Sequence, residues 1–455
     1  MAVYRRAAQI AVLFLAAITV GHAAGQLTGP SPPSGTQMTG RSRVPLIVIP
    51  GVLGSRLTDR KTGIEAWPGT TKQLMTSSYL ELALRIDPVA LEPLDDGLVA
   101  SSVFERALGQ DFYGDMIDFL LQAGGYSRGQ PGEPAAADEA RLYTLAYDWR
   151  QDNIRAVRAL DALIEQIRSD YGDPELRIDV IAHSMGGLIL RYYERYGTDD
   201  VLDGNAFLVT GAGASKLRRI VMLGVPNQGS VTALHSFLTG YRVWLSRLPT
   251  TGIATMPSMY QLLPHPQVSW IATTRGKPLS LDPFDVNVWK NFEWSVFNRK
   301  VRRRIATQPD IWPDQDVFER YFKKRLERGR RFVWSLTVPT GDVRLIEPLV
   351  FGGDCLPTLA RVVVEKKDGH TVARLRPEQI TSPVPGIDYD RLMYQPGDGS
   401  VTMASLVGRQ GLDPLLHEAD RHEIGRASFV CEIHESVTSN ESVLESLLRH
   451  LQETG

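Results

Sequence analysis

The run Ile181-Ala182-His183-Ser184-Met185-Gly186-Gly187 constrains the fold more than any other stretch, because it joins an apolar strand to a helix through a turn centred on a serine. Leu176, Ile178, Val180 and Ile181 form a short, mostly apolar run after Asp173-Pro174, which fits a strand buried in a parallel sheet. Leu188, Leu190 and Tyr192 open a helical segment that stops near Gly197. A serine on so tight a turn carries its hydroxyl above the sheet, and close packing of helix on strand needs small neighbours, which Gly186 and Gly187 supply. The usual pattern is Gly-x-Ser-x-Gly. Ala182 replaces the first glycine and adds one methyl at the strand end. The bland alternative is a serine in an ordinary strand-to-helix loop, so the chain must supply partners for Ser184.

At 455 residues with 43% apolar content, the chain can bury a large core and has the length for two or three domains. Met1 to Ala24 stands apart. Arg5 and Arg6 precede the apolar stretch Ala7 to Val20, followed by Gly21, Ala23 and Ala24, the layout of a secretory signal peptide cleaved near Ala23 or Ala24. That stretch is short for a retained membrane anchor, and the Arg5-Arg6 pair also fits a twin-arginine route. The expected location is outside the cytoplasm, secreted or periplasmic. Losing Arg5 and Arg6 takes the formal charge from −2 to −4, which offers nucleic acid no basic surface. The two cysteines, Cys355 and Cys431, fit one disulfide in an exported protein or two buried thiols.

Residues 25–43, rich in Gly, Pro, Ser and Thr, read as a flexible linker. From about Val44, candidate strands Leu46 to Ile49, Leu142 to Tyr147, Leu176 to Ile181, Ile220 to Gly224, Phe332 to Val338 and Phe429 to Ile433 alternate with helical segments. The clearest helices are Ile154 to Tyr171 and Met185 to Tyr196. This predicts a doubly wound, mostly parallel α/β sheet. Two stretches are too long for simple connections, residues 55–101 and 230–330. The expected organisation is a core over 44–229 and 331–455 with 230–330 inserted as a cap or lid. The cap holds Trp244, Trp270, Trp289, Trp294 and Trp312, most of which are expected to form its own core.

An acyl-transfer serine needs a histidine base, an acid to orient it and backbone donors for the oxyanion. In this arrangement the chain order is serine, acid, histidine. His434 is the best base, because it follows the strand-like Ala427 to Ile433 and precedes a helix opened by Thr438-x-x-Glu441. His183 adjoins the serine, so its side chain is expected to point elsewhere. His417 and His422 lie in a polar stretch, and their spacing of five separates side chains by about 140° on a helix, which argues against a metal site. For the acid, Asp398 between Gly397 and Gly399 is favoured over Asp342, which follows the candidate strand Phe332 to Val338. The first strand ends in Pro50-Gly51-Val52-Leu53-Gly54, so the amides of Val52 and Met185 are expected to meet the developing oxyanion, each contributing roughly 10²- to 10³-fold. This chemistry calls for no cofactor.

Taken in order, Pro50-Gly51-Val52-Leu53-Gly54-Ser55, Ala146-Tyr147-Asp148-Trp149-Arg150, the Ser184 elbow, Gly224-Val225-Pro226-Asn227-Gln228-Gly229-Ser230, Gly397-Asp398-Gly399-Ser400-Val401 and His434 resemble the motifs of the lecithin:cholesterol acyltransferase family, which includes lysosomal phospholipases. The resemblance spans about Val44 to Leu451 and thins in the cap. It implies an α/β-hydrolase that cleaves an acyl ester, usually of a phospholipid, and passes the acyl group to an alcohol or water. It settles the acid on Asp398, and it implies Ser184 as nucleophile and His434 as general base. Val52 stands where some members carry an acidic residue, a change that a backbone donor tolerates. The family's lipid-touching segment corresponds to Trp67 and Leu74 to Ile86, with Leu80, Leu82, Leu84 and Ile86 apolar, so the expected partners are a lipid ester and a peripheral membrane or lipid-particle surface. A buried cap helix would read the same way. The basic runs Arg299 to Arg304 and Lys323 to Arg331 fit either anionic lipid or solvated cap faces. Of the family's disulfides, this chain can retain only Cys355 to Cys431. Two alternatives stay open: a carboxylesterase on small soluble esters, and a lipid-binding protein without turnover.

Overall fold

The computed structural model describes residues 44–107, 110–243, 245–367, 369–408 and 427–453. The expected signal peptide, the linker, Trp244, His417 and His422 lie outside the described residues.

A seven-stranded parallel sheet runs in the order Ala427–Val430, Leu349–Gly353, Leu217–Leu223, Ile178–His183, Leu46–Ile49, Arg141–Thr144, Ser127–Arg128. Leu46–Ile49 and Ile178–His183 are buried along their whole length, as central parallel strands covered on both faces must be. Their side chains alternate between two cores. Ile47 and Ile49 pack with the helices Asn153–Tyr171 and Met185–Tyr196. Leu46 and Val48 face the helices Gly114–Gln122 and Glu441–Gln452.

The register sets Ile49 beside Ala182, Leu223 beside His183 and Gly353 beside Val430, so the turns after these strands emerge at one edge of the sheet. Ligand sites of open α/β sheets lie at this carboxyl edge.

One expectation about the chain's organisation is corrected. Residues Phe332 to Val338 are not a strand: Phe332 to Ser335 end the helix Gln315–Ser335. Phe318, Phe322, Leu326, Gly329 and Phe332 are buried at helical spacing, and this stripe continues through the basic run to carry the helix past its apolar end. The core strand is Leu349–Gly353. Ile271–Thr273, within the expected cap, pairs with Val362–Lys367, which pairs with His370–Arg374. Such non-local pairing leaves no mark in local pattern.

Residues 55–103 form a three-stranded antiparallel sheet of Glu65–Trp67, Ser55–Asp59 and Leu98–Val103. Leu74, Leu82, Leu84 and Ile86 are buried. Trp270, Trp289, Trp294 and Trp312 are buried too. Among the described residues, no helix is long and apolar enough to cross a membrane.

Candidate active site

Ser184 sits between the strand Ile178–His183 and the helix Met185–Tyr196 with φ +53° and ψ −125°, a conformation rare for a residue with a side chain. The neighbourhood leaves no space for bulk. A Cβ on Gly186 would stand 2.6 Å from the Pro50 carbonyl oxygen, and one on Gly187 would stand 2.2 Å from Val225.

His434 Nε2 lies 2.9 Å from Ser184 Oγ, and its Nδ1 lies 2.7 Å from Asp398 Oδ2. The backbone holds this pair as well, since the His434 amide donates to the Asp398 carbonyl at 2.9 Å. Asp398 Oδ1 accepts from the amides of Ser400 (2.9 Å) and Val401 (2.6 Å), so the glycine-flanked turn fixes the carboxylate. Burial disfavours charge on both partners. For His434 the Asp398 carboxylate outweighs burial and lifts the imidazole to about 9. For Asp398, burial is outweighed by the His434 charge and the hydrogen bonds it accepts, and its carboxyl is held below the usual range. Asp342, the rival acid, is exposed in the loop after the helix Gln315–Ser335.

Val52 and Met185 flank the serine, and among the described residues their amides have no hydrogen-bond partner. Met185 opens its helix, where the first amides have no partner within the helix. The turn carrying Val52 is held from behind by the Tyr147-Asp148-Trp149-Arg150 segment. Tyr147 donates its hydroxyl to the Pro50 carbonyl (2.8 Å) and the Trp149 indole donates to the Ser55 carbonyl (3.2 Å). Arg150 is fully buried and pairs with Asp148 and Asp96. This segment therefore sets the position of the turn.

A cavity of about 380 Å³ opens over Ser184 and His434, lined also by Val52, Trp67, Tyr241 and Leu262. Trp67 lines it from within. The ring is buried, donates its N–H to the Leu53 carbonyl (2.9 Å) and meets Tyr79 and Trp149 edge-on. The indole is thus part of the cavity wall rather than of the outer surface, held there by core packing and a backbone partner. The basic run Lys323 to Arg331 is largely ion-paired, Arg325 with Glu92, Arg328 with Asp152 and Asp200, and Arg330 with Asp282. In the other run, Arg302 to Arg304 are exposed. Cys355 and Cys431 are joined by a disulfide.

The expectation that His183 points elsewhere is also corrected. Its Nδ1 lies 2.7 Å from the Tyr113 hydroxyl, its Nε2 lies 3.2 Å from the His434 carbonyl, and its ring is 4.8 Å from that of His434. Tyr113, unflagged by sequence, carries no local signal of its role.

A family model described as lecithin:cholesterol acyltransferase matches residues 111–343. Among solved structures, a chain in the crystal structure of the Tle4–Tli4 complex is similar at 13% identity with TM-score 0.51, covering 90% of this chain and 99% of that one. Bacillus licheniformis lipase BlEst2 in mature form is similar at 10% identity and TM-score 0.34, covering 93% and 96%. EstA from Clostridium botulinum is similar at 11% identity and TM-score 0.35, covering 92% and 89%. A search of curated proteins finds no match. The fold is that of an α/β-hydrolase.

Proposed function

Because the chain belongs to the lecithin:cholesterol acyltransferase family, we propose that it is a serine-dependent acyltransferase or phospholipase-type lipase that moves an acyl group from a lipid ester to an alcohol or water. One observation carries the mechanism: Ser184, His434 and Asp398 form a continuous hydrogen-bonded row at a cavity large enough for an acyl chain. Ser184 Oγ attacks the ester carbonyl while His434 Nε2 takes its proton, and Asp398 steadies the imidazolium. The carbonyl oxygen gains negative charge facing the amides of Val52 and Met185. Collapse breaks the bond to the leaving alcohol, which receives the proton from His434. Water or an acceptor alcohol then gives a proton to His434 and attacks the acyl-enzyme, releasing acid or a new ester and restoring Ser184.

Met1 to Ala24 acts in this reading as an export signal that places the protein in the secreted or periplasmic space. The Cys355–Cys431 disulfide supports an oxidising compartment.

The test is a fluorophosphonate probe with the folded chain, followed by mass analysis of products from phospholipid with and without added sterol or another alcohol. Labelling of Ser184 and release of fatty acid or a new ester are expected. No labelling and no release from any ester would leave a lipid-binding protein. Turnover restricted to short esters below their aggregation point would leave a soluble carboxylesterase.

A further inference from the structure

We propose that Tyr113 and His183 are positioning residues that tie the turn carrying Val52 to the backbone of His434 through one directed chain of hydrogen bonds. The proposal rests on Ser184 and His434 being nucleophile and base.

The chain runs from the Gly51 amide to the Tyr113 hydroxyl (2.8 Å), on to His183 Nδ1 (2.7 Å), and from His183 Nε2 to the His434 carbonyl (3.2 Å). Its two ends fix every proton between them. The Gly51 amide can only donate, so Tyr113 Oη accepts there and its own hydrogen points to His183. Nδ1 must then be a bare acceptor, which leaves the ring proton on Nε2. The His434 carbonyl can only accept, and it receives that proton. One arrangement of hydrogens satisfies all four groups.

A protonated His183 would carry hydrogen on Nδ1 and turn two donors toward each other at the Tyr113 hydroxyl. Burial, with the nearby charge of His434, holds His183 neutral by lowering it to about 3, although the more distant Asp398 carboxylate acts the other way. Tyr113 is itself buried and is pushed up, chiefly by burial and further by Glu435. Neither group therefore titrates where His434 does.

The chain joins the two parts that must stay in register as the proton moves. At one end, Gly51 rides directly on the elbow: a Cβ there would stand 2.7 Å from Ser184 Cβ and 3.3 Å from His183 Nδ1. Holding the Gly51 amide fixes the peptide plane next to that of Val52. At the other end, the His434 backbone is gripped on both sides, its amide by the Asp398 carbonyl and its carbonyl by His183. Both grips keep the imidazole at its height over Ser184 as it gains and loses charge.

The experiment uses the full chain and Tyr113→Phe, His183→Phe and His183→Gln, the last retaining an amide donor that reaches toward the His434 carbonyl. With a soluble p-nitrophenyl ester, the first two are expected to lower kcat about 10- to 100-fold with KM within about two-fold, and His183→Gln to recover part of the loss. Wild-type kcat in folded Tyr113→Phe and His183→Phe would overturn the proposal. Nitrogen-15 NMR of the unmutated protein is expected to show His183 as the neutral Nε2–H tautomer between pH 6 and 8. The Nδ1–H tautomer would overturn the proposal even if no variant folds. Absence of turnover and of fluorophosphonate labelling in the unmutated chain would instead count against the catalytic reading, while the tautomer still reports on the chain.

Discussion

The imidazole of His434 lies so close to Gly224 that a methyl group there would stand 3.1 Å from both Cε1 and Nδ1, and 3.4 Å from Asp398 Oδ2. Gly224 follows the strand Leu217–Leu223 with φ +58°, so it serves both a left-handed turn and the flat wall behind the His434 imidazole. Gly224→Ala is expected to cost about 1–2 kcal/mol in backbone conformation. Moving the imidazole should lower kcat further, by roughly 100-fold. The check is kcat beside a urea midpoint. A folded variant with unchanged kcat would mean that the imidazole has room to spare.

Asp398→Asn should separate orientation from charge. In the proposed mechanism His434 acts only when unprotonated, and it is lifted to about 9, because the Asp398 carboxylate outweighs burial. The rate kcat/KM is therefore expected to rise with pH toward about 9. With asparagine, the rate should fall by roughly 10³- to 10⁴-fold and the residual profile should move to lower pH. A rate–pH series with a soluble ester measures both, and an unmoved profile would dissociate Asp398 from the base.

Ser184, Asp398 and His434 are legible because each sits at local punctuation: a strand end followed by glycines, a Gly-Asp-Gly turn, a strand leading into a capped helix. Their meeting is a property of topology, across 250 residues from Ser184 to His434. His183 escapes the local argument because successive strand residues are taken to face opposite ways. At the elbow the chain reverses through φ +53° at Ser184, and both side chains reach His434. Phe332 to Val338 fails for a different reason. A short apolar run has no period of its own, and the stripe that decides it begins at Phe318. Trp67 shows a third limit, since an apolar segment reads alike whether its partner is lipid or the protein's own core.

The buried histidines predict a stability optimum. His434 binds a proton more tightly folded than unfolded, about 9 against about 6.5. Its contribution is full below about 6.5 and is lost as pH rises through 9. His183 and His265 are lowered by burial to about 3 and about 4, with the His434 and Arg330 charges adding to the effect. The unfolded chain binds their protons first as pH falls, so stability declines below about 6.5. Urea midpoints between pH 5 and 9 should peak near 6.5, and His183→Phe should flatten the acid side. Equal midpoints from pH 5 to 6.5 in both proteins would contradict the neutral burial of His183.

The disulfide predicts a stability effect separable from activity. Cys355 and Cys431 are 76 residues apart, enclose Asp398 and end three residues before His434, so their bond closes a loop that carries Asp398 and adjoins His434. Both cysteines are exposed, and a reductant can reach them without unfolding. The adjoining strands are paired at Gly353 and Val430, which keeps the ends together in the folded state when the bond is open. The bond therefore acts mainly on the unfolded chain, where closing such a loop contributes about 2–4 kcal/mol. Reduction, or the double substitution Cys355→Ala with Cys431→Ala, should leave kcat near its starting value in buffer while lowering the urea midpoint of unfolding and inactivation together. If kcat collapses in buffer with the fold intact by circular dichroism, the bond is holding Asp398 against His434 directly, and the paired strands do not suffice.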